Sequence, residues 1–182
     1  MILAISGSLR RDSLNSAALR AAAHAAARTG LAVELDDSPS RLPHFNPDLE
    51  SQPPEAVQRF RTISEHAEAL LLGVPEYAFG IPGALKNALD WTVGSAAIYR
   101  KPVAVLSVAP PGRGEHVRRA LELVFTALDC DASWHHVPIH PSLLDHGEIR
   151  DGPIIRELVR VVEALAARTP PGSDGADPAL SA

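Results

Sequence analysis

Ser8, Arg10, Ser13 and Asn15 fall close together in the stretch GSLRRDSLN, Gly7 to Asn15. Hydroxyls and an amide can each donate a hydrogen bond, and a guanidinium offers a planar fork to two oxygens. The stretch follows an apolar run, Ile2 to Ile5, and precedes an alanine-rich one, so it reads as a buried strand, a turn at Gly7 and a helix N-terminus. Free N–H groups and the helix dipole make that corner an anion site. Four donors aimed at one point suggest a terminal phosphate. The motifs for larger phosphate chains fail on spacing, because Gly7 has no partners for G-x-G-x-x-G and no G-K-S or G-K-T follows. A plainer reading also accounts for the residues: Ser13 or Asp12 caps the helix, and Arg10 and Arg11 are solvated.

A second stretch, PEYAFGIPGALKNALDW from Pro75 to Trp91, carries Tyr77 and Phe79 in a chain with only two tyrosines and four phenylalanines. Gly80 and Gly83 permit close approach of the backbone, and the flat side chains suit an aromatic ligand. A third turn, PPGRG, is followed by Glu115 and His116. A carboxylate at such a turn disfavours an anionic ligand by like-charge repulsion.

Other chemistry is weakly signalled. His135, His136, His140 and His146 invite a metal, yet neighbours on a strand point to opposite faces, and no metal site is expected. Cys130 lies between Asp129 and Asp131, whose charges should raise its pKa, so it reads as a half-buried structural thiol. No G-x-S-x-G elbow exists, and Ser8 has no evident partner base. Glu76 is the one carboxylate placed to act as a nucleophile on a nucleotide. Lys86 and Asp90, four apart on a helix, read as a surface ion pair or, with Leu89 and Trp91, as part of a subunit interface.

The elements that must position these residues alternate. Strands are predicted at Ile2 to Ile5, Leu31 to Leu35, Ala69 to Val74, Pro102 to Ala109 and Ala132 to Ile139. Helices are predicted at Leu14 to Arg28 with Leu14, Ala18, Ala21 and Ala25 inward, and at Glu55 to His66 with Ala56, Phe60 and Ile63 inward. Three more are predicted at Ala84 to Thr92, around Val117 to Leu128, and at Ile154 to Ala166. Asp37 to Pro53, with four prolines and no period, reads as a long loop. Five strand–helix repeats imply a doubly wound α/β fold, and ligand loops at the strand ends fit the flavodoxin-like order 2-1-3-4-5. A single domain over residues 1–168 is expected, with a disordered tail at 169–182.

The 182 residues are 46% hydrophobic, and 17 Lys and Arg stand against 22 Asp and Glu for a net charge of -5. That balance offers no footprint for a nucleic acid or an anionic membrane and points to a small-molecule ligand. One cysteine, with no signal peptide or membrane span read from the sequence, suggests a cytoplasmic protein.

On GSLRRDSLN, PEYAFGIPGALKNALDW and LLDHGEIRD (Leu143 to Asp151), the chain resembles the NADPH-dependent FMN reductase family, flavodoxin-like enzymes that include chromate, quinone and azo-dye reductases. The resemblance spans about residues 1 to 167. It implies FMN as cofactor, with Ser8, Arg10, Ser13 and Asn15 on the phosphate. Pro75, Glu76, Tyr77, Ala78, Phe79 and Gly80 would lie along the ribityl chain and ring, chiefly through backbone N–H groups, and Pro111, Gly112, Arg113 and Gly114 would face the pyrimidine edge. NADPH or NADH would be the donor, with Arg113 as a candidate reader of the 2′-phosphate. The acceptor would be a quinone, azo compound, metal oxyanion or free flavin, and the assembly a homodimer or homotetramer. No side chain need act as acid or base, since the flavin carries the chemistry. A flavin-binding electron carrier and a nucleotide-modifying transferase are the alternatives.

Overall fold

A computed structural model describes residues 1–169. Of the expected tail only Thr169 lies among the described residues. Five parallel strands, β1 (Ile2–Ser6), β2 (Val33–Asp36), β3 (Ala69–Gly73), β4 (Pro102–Ser107) and β5 (Asp131–His136), form one sheet in the order β2-β1-β3-β4-β5. The central three read as near-continuous apolar runs because both of their faces are covered.

Side-chain alternation splits the core in two. Ile2, Ala4, Leu71, Ala104 and Leu106 pack on the layer of α1 (Leu14–Ala27) and α5 (Gly152–Ala166). Leu3, Ile5, Leu70, Leu72, Val103 and Val105 pack on the layer of α2 (Glu55–His66), α3 (Gly83–Val93) and α4 (Glu115–Ala127). The right-handed crossovers place every β-to-α turn on the carboxyl edge of the sheet.

Three local expectations change. On α1 the buried residues are Asn15, Ala17, Ala18, Leu19, Ala22 and Ala26, so of the predicted face Ala18 is buried and Leu14 and Ala21 are partly buried against the core. A helix so rich in alanine carries almost no phase in its hydrophobicity, so Leu19 and the packing against β3 decide it; a Cβ on Gly73 would come within 3.1 Å of Leu19. On α2 the buried residues are Val57, Phe60 and Ser64, with Ala56 and Ile63 half-buried. The fifth strand is shorter than predicted, although the chain beyond it still bonds to β4, with Val137 N–H donating to Ser107 O at 2.9 Å. A small hairpin not anticipated in the sequence, β6 (Leu144–Asp145) and β7 (Glu148–Ile149), precedes α5.

Candidate functional site

The first turn is built on hydroxyls. Ser6 Oγ lies 2.8 Å from Ser16 Oγ and accepts from the Ser8 N–H at 3.2 Å, which ties the end of β1 to α1. Ser13 caps α1, its Oγ accepting from the Ser16 N–H at 3.3 Å. The cap reading of Ser13 is therefore correct as far as it goes, and the hydroxyl proton remains available to an anion. The first helical N–H groups, those of Leu14 and Asn15, have no intrahelical carbonyl by the geometry of any helix start. Ser8 is buried, Arg10 is exposed, and Asn15 is buried with its Oδ1 lacking any partner.

The second loop leaves β3 and meets the first. Gly7 N–H donates to Gly73 O at 2.8 Å, and a side chain at Gly7 would press on Leu85 and Pro75 at 3.2 and 3.3 Å. Ser8 Oγ then reaches Tyr77 Oη at 3.2 Å. Tyr77 and Gly80 pair with each other as a two-residue hairpin, with Gly80 N–H donating to Tyr77 O at 2.9 Å. Both residues at its tip, Ala78 (φ 47°) and Phe79 (φ 59°), are in the left-handed region that costs an L-residue about 1 kcal/mol or more. Tyr77 is 51% and Phe79 73% exposed, and Phe79 meets the His116 ring edge to face at 4.8 Å.

The third loop is joined by Glu76. Its Oε2 accepts from the N–H groups of both His116 and Val117 at 3.0 Å, so a carboxylate from the β3 loop caps the N-terminus of α4. Gly114 opens that helix with φ 93°, a backbone state that disfavours any other residue, and Pro111, Gly112 and Arg113 are exposed beside it. Glu115 forms an ion pair with Arg119 at 3.4 Å.

All fourteen residues expected to hold a cofactor lie at one edge of the sheet, thirteen on three adjoining turns and Asn15 at the start of α1. Ser16 and His116 were not anticipated as parts of it. Ser6 and Ser16 lie ten positions apart and meet only because α1 folds back over β1, and no local pattern marks such a pair. The residues fit a flavin mononucleotide: a helix start with hydroxyl and guanidinium donors for a phosphate, and exposed aromatic and backbone surface for a ring.

Other expected sites resolve differently. Cys130 Sγ donates to Ile98 O at 3.1 Å, and burial, ahead of the charge of Asp129, pushes the thiol up to about 11. The sequence reading placed the cause in the flanking carboxylates, but desolvation leads. His135 and His136 bond separately, to Ser133 Oγ at 3.0 Å and Ala109 O at 2.8 Å. Among the described residues no group of three or more metal-ligating side chains gathers. Lys86 and Asp90 do pair, at 2.5 Å, but Trp91 and Leu89 cannot serve a subunit interface because both are buried within the chain. Trp91 Nε1 donates to Pro43 O at 2.8 Å, and Phe45 packs edge-on at 5.0 Å.

The family described as NADPH-dependent FMN reductase matches residues 1–137. The chain is 41% identical over 111 residues to an NAD(P)H-dependent FMN reductase of Pseudomonas aeruginosa, an alignment spanning 59% of each chain. It is 38% identical over 141 residues to a quinone reductase of Pseudomonas putida, covering 71% of this chain and 72% of that one. Among solved structures it superposes on the flavoenzyme NAD(P)H:(acceptor) oxidoreductase of Paracoccus denitrificans with a TM-score of 0.72 and 29% identity, covering 91% of this chain and 94% of that one. Sequence, sheet order and the three joined turns agree, and the chain belongs to the NADPH-dependent FMN reductase family.

Proposed function

We propose that the protein is an FMN-dependent NAD(P)H oxidoreductase whose acceptor is a small oxidant of the quinone class. The observation that carries this is the joining of three carboxyl-edge loops into one cradle, through Ser8 to Tyr77 and through Glu76 to the start of α4. Names carried by the P. aeruginosa and P. putida relatives support the same reading.

In this reading Ser8, Arg10, Ser13 and Asn15 hold the FMN phosphate. The backbone from Pro75 to Gly80 lines the ribityl chain and ring, and Pro111 to Gly114 bounds the pyrimidine edge. Bound FMN supplies the redox chemistry, taking a hydride from the nicotinamide and giving two electrons to the acceptor. The protein's part is to fix the ring and leave one face open, over which donor and acceptor alternate. Ping-pong kinetics are therefore expected, and intersecting initial-rate plots would count against the shared face. Glu76 is engaged as the cap of α4, which argues against its use as a nucleophile in a nucleotide transferase.

Arg113 is proposed to favour NADPH by pairing with its 2′-phosphate; unchanged donor preference in Arg113→Ala would remove it. A homo-oligomer is supported by the exposed apolar side chains of Val93 (60%) and Leu123 (76%), on helices of one layer, and light scattering decides it. A single cysteine among 182 residues supports a reducing, cytoplasmic setting. No described helix is long and apolar enough to cross a membrane.

The deciding experiment is an absorption spectrum after incubation with FMN and removal of free ligand, followed by anaerobic NADPH and, separately, NADH. A retained flavin band that bleaches with either donor and recovers on adding a quinone is expected. A retained band that neither donor bleaches would make the protein a flavin carrier.

A further inference from the structure

A cavity of about 270 Å³ opens on the other flank of the phosphate corner, sharing Ser6, Ser8 and Ser16 with it, between α1 and the carboxyl ends of β1 and β2. Ser8 and Leu9 bound it on one side, Asp36 and Ser40 on the other, and Arg20 of α1 stands at its edge. Asp36 is the last residue of β2. Its Oδ1 accepts from the N–H and the hydroxyl of Ser38 at 3.1 and 2.6 Å, but its Oδ2 is buried with no partner. A buried carboxylate oxygen without a donor is unfavourable, and a ligand hydroxyl would satisfy it. Arg20 is held in place by donating through Nη2 to Gly147 O at 2.7 Å, and Asp37 is engaged by Arg41.

The topology gives this carboxylate a meaning. β1, the Gly7 turn, α1 and β2 form one right-handed crossover unit, with β2 directly beside β1. The end of β2 therefore lies one strand spacing, about 4.8 Å, from the turn that faces the helix N-terminus. In the dinucleotide-binding βαβ unit an acidic side chain at the end of the second strand accepts from the 2′-hydroxyl of a ribose; this unit shares that strand order, while its Gly7 turn lacks the glycines of G-x-G-x-x-G.

We infer that this cavity is a ribose subsite in which Asp36 accepts from the vicinal diol of an adenosine group, beyond the flavin cradle. The inference rests on the reading that the α1 corner holds a phosphate. The adenosine could belong to the nicotinamide donor or to a flavin adenine dinucleotide continuing from the flavin phosphate, and both present the same diol.

The test titrates the full FMN-loaded protein with adenosine and with 2′-deoxyadenosine, followed by amide chemical shifts. Adenosine is expected to shift residues around Leu35 to Ser40 and Ser16 to Arg20, with 2′-deoxyadenosine binding about tenfold or more weakly, the worth of a hydrogen bond to a charged group. Asp36→Asn keeps an oxygen for Ser38 and puts a donor where the lone acceptor was. It should bring adenosine down to the deoxynucleoside's level while FMN stays bound. Equal binding of the two nucleosides by the unaltered protein, or shifts elsewhere, would overturn the subsite without recourse to any variant. Two further readouts in Asp36→Asn separate the sources. A weaker FAD with unchanged FMN assigns the flavin's adenosine, a raised KM for NADH with unchanged flavin affinities assigns the donor's, and no change in either overturns the assignment to a dinucleotide. Failure of the unaltered protein to retain FMN bears on the preceding proposal and is read apart from the nucleoside ratio.

Discussion

The two halves of the stretch Pro75 to Val93 are built on opposite terms. In the front half, Ala78 and Phe79 adopt positive φ at an exposed hairpin tip, and the aromatic rings of Tyr77 and Phe79 face outward. In the back half, on α3, every large polar group has its bond. Asn87 Oδ1 accepts from Phe45 N–H at 2.7 Å and its Nδ2 donates to Pro43 O at 2.9 Å. Arg61 donates through Nε to Trp91 O at 2.7 Å and through Nη2 to both oxygens of Glu50 at 2.8 and 3.0 Å. Satisfied polar groups and a fully buried Trp91 pin the proline-rich loop of residues 37–53 to the core. The strained, open hairpin stands on that support, as a binding loop stands on a rigid scaffold.

Breaking the scaffold should have the largest effect. Trp91→Ala removes a fully buried indole and its bond to Pro43, and is expected to cost roughly 3–5 kcal/mol of stability in chemical denaturation. FMN affinity per folded molecule should change much less. Arg10→Ala is the converse: its side chain is exposed, so the midpoint of unfolding should hold, while FMN binding weakens by about 1.5–3 kcal/mol, or tenfold to a hundredfold, in a fluorescence titration. If both variants lost stability equally, the division between scaffold and site would be wrong.

Cys130 sharpens the scaffold side through pH. Its thiol is raised from 9.0 to about 11 in the folded protein, so the native state favours the protonated form. The stabilisation is complete below about pH 9 and is lost as the pH rises towards 11. Because the residue is only partly buried, the loss should stay below about 2 kcal/mol, and Cys130→Ala should flatten that part of the stability profile. Glu76→Ala takes the carboxylate from the start of α4 and should cost about 1 kcal/mol, with Glu76→Gln recovering part of it. The smallest effect is expected at the hairpin tip. Phe79→Gly relieves a positive φ and should leave stability within about 1 kcal/mol of the unaltered protein, yet shift KM for the acceptor if the exposed ring borders its site.

How far the sequence could be read varied from element to element. The central strands were plain because both of their faces are apolar, and α2 was bounded at Glu55 and His66 as observed. The phase of α1 was not legible, since Ala17, Ala18, Ala21 and Ala22 look alike to any periodic pattern. Loop residues 37–53 carried no periodic signal because the bonds that tie them to the core come from Asn87, Trp91 and Arg61, outside the loop. Among candidate site residues, the donor types at Ser8, Arg10, Ser13 and Asn15 were visible as chemistry, whereas the pairing of Ser8 with Tyr77 was not.

Local composition and order along the chain determined the alternation of strands and helices, the position of each turn and the kinds of donor each turn carries, because these follow from short-range preferences of backbone and side chain. Tertiary structure alone decided which side chains became available. Glu76 turned from a candidate nucleophile into a helix cap, and Trp91 from a surface candidate into a buried anchor. Asp36, one acid among 22 acidic residues, acquired an oxygen with nothing to bond. Hydrogen-bond satisfaction depends on neighbours that only the fold brings within reach, and for that reason no inspection of the chain by itself could assign it.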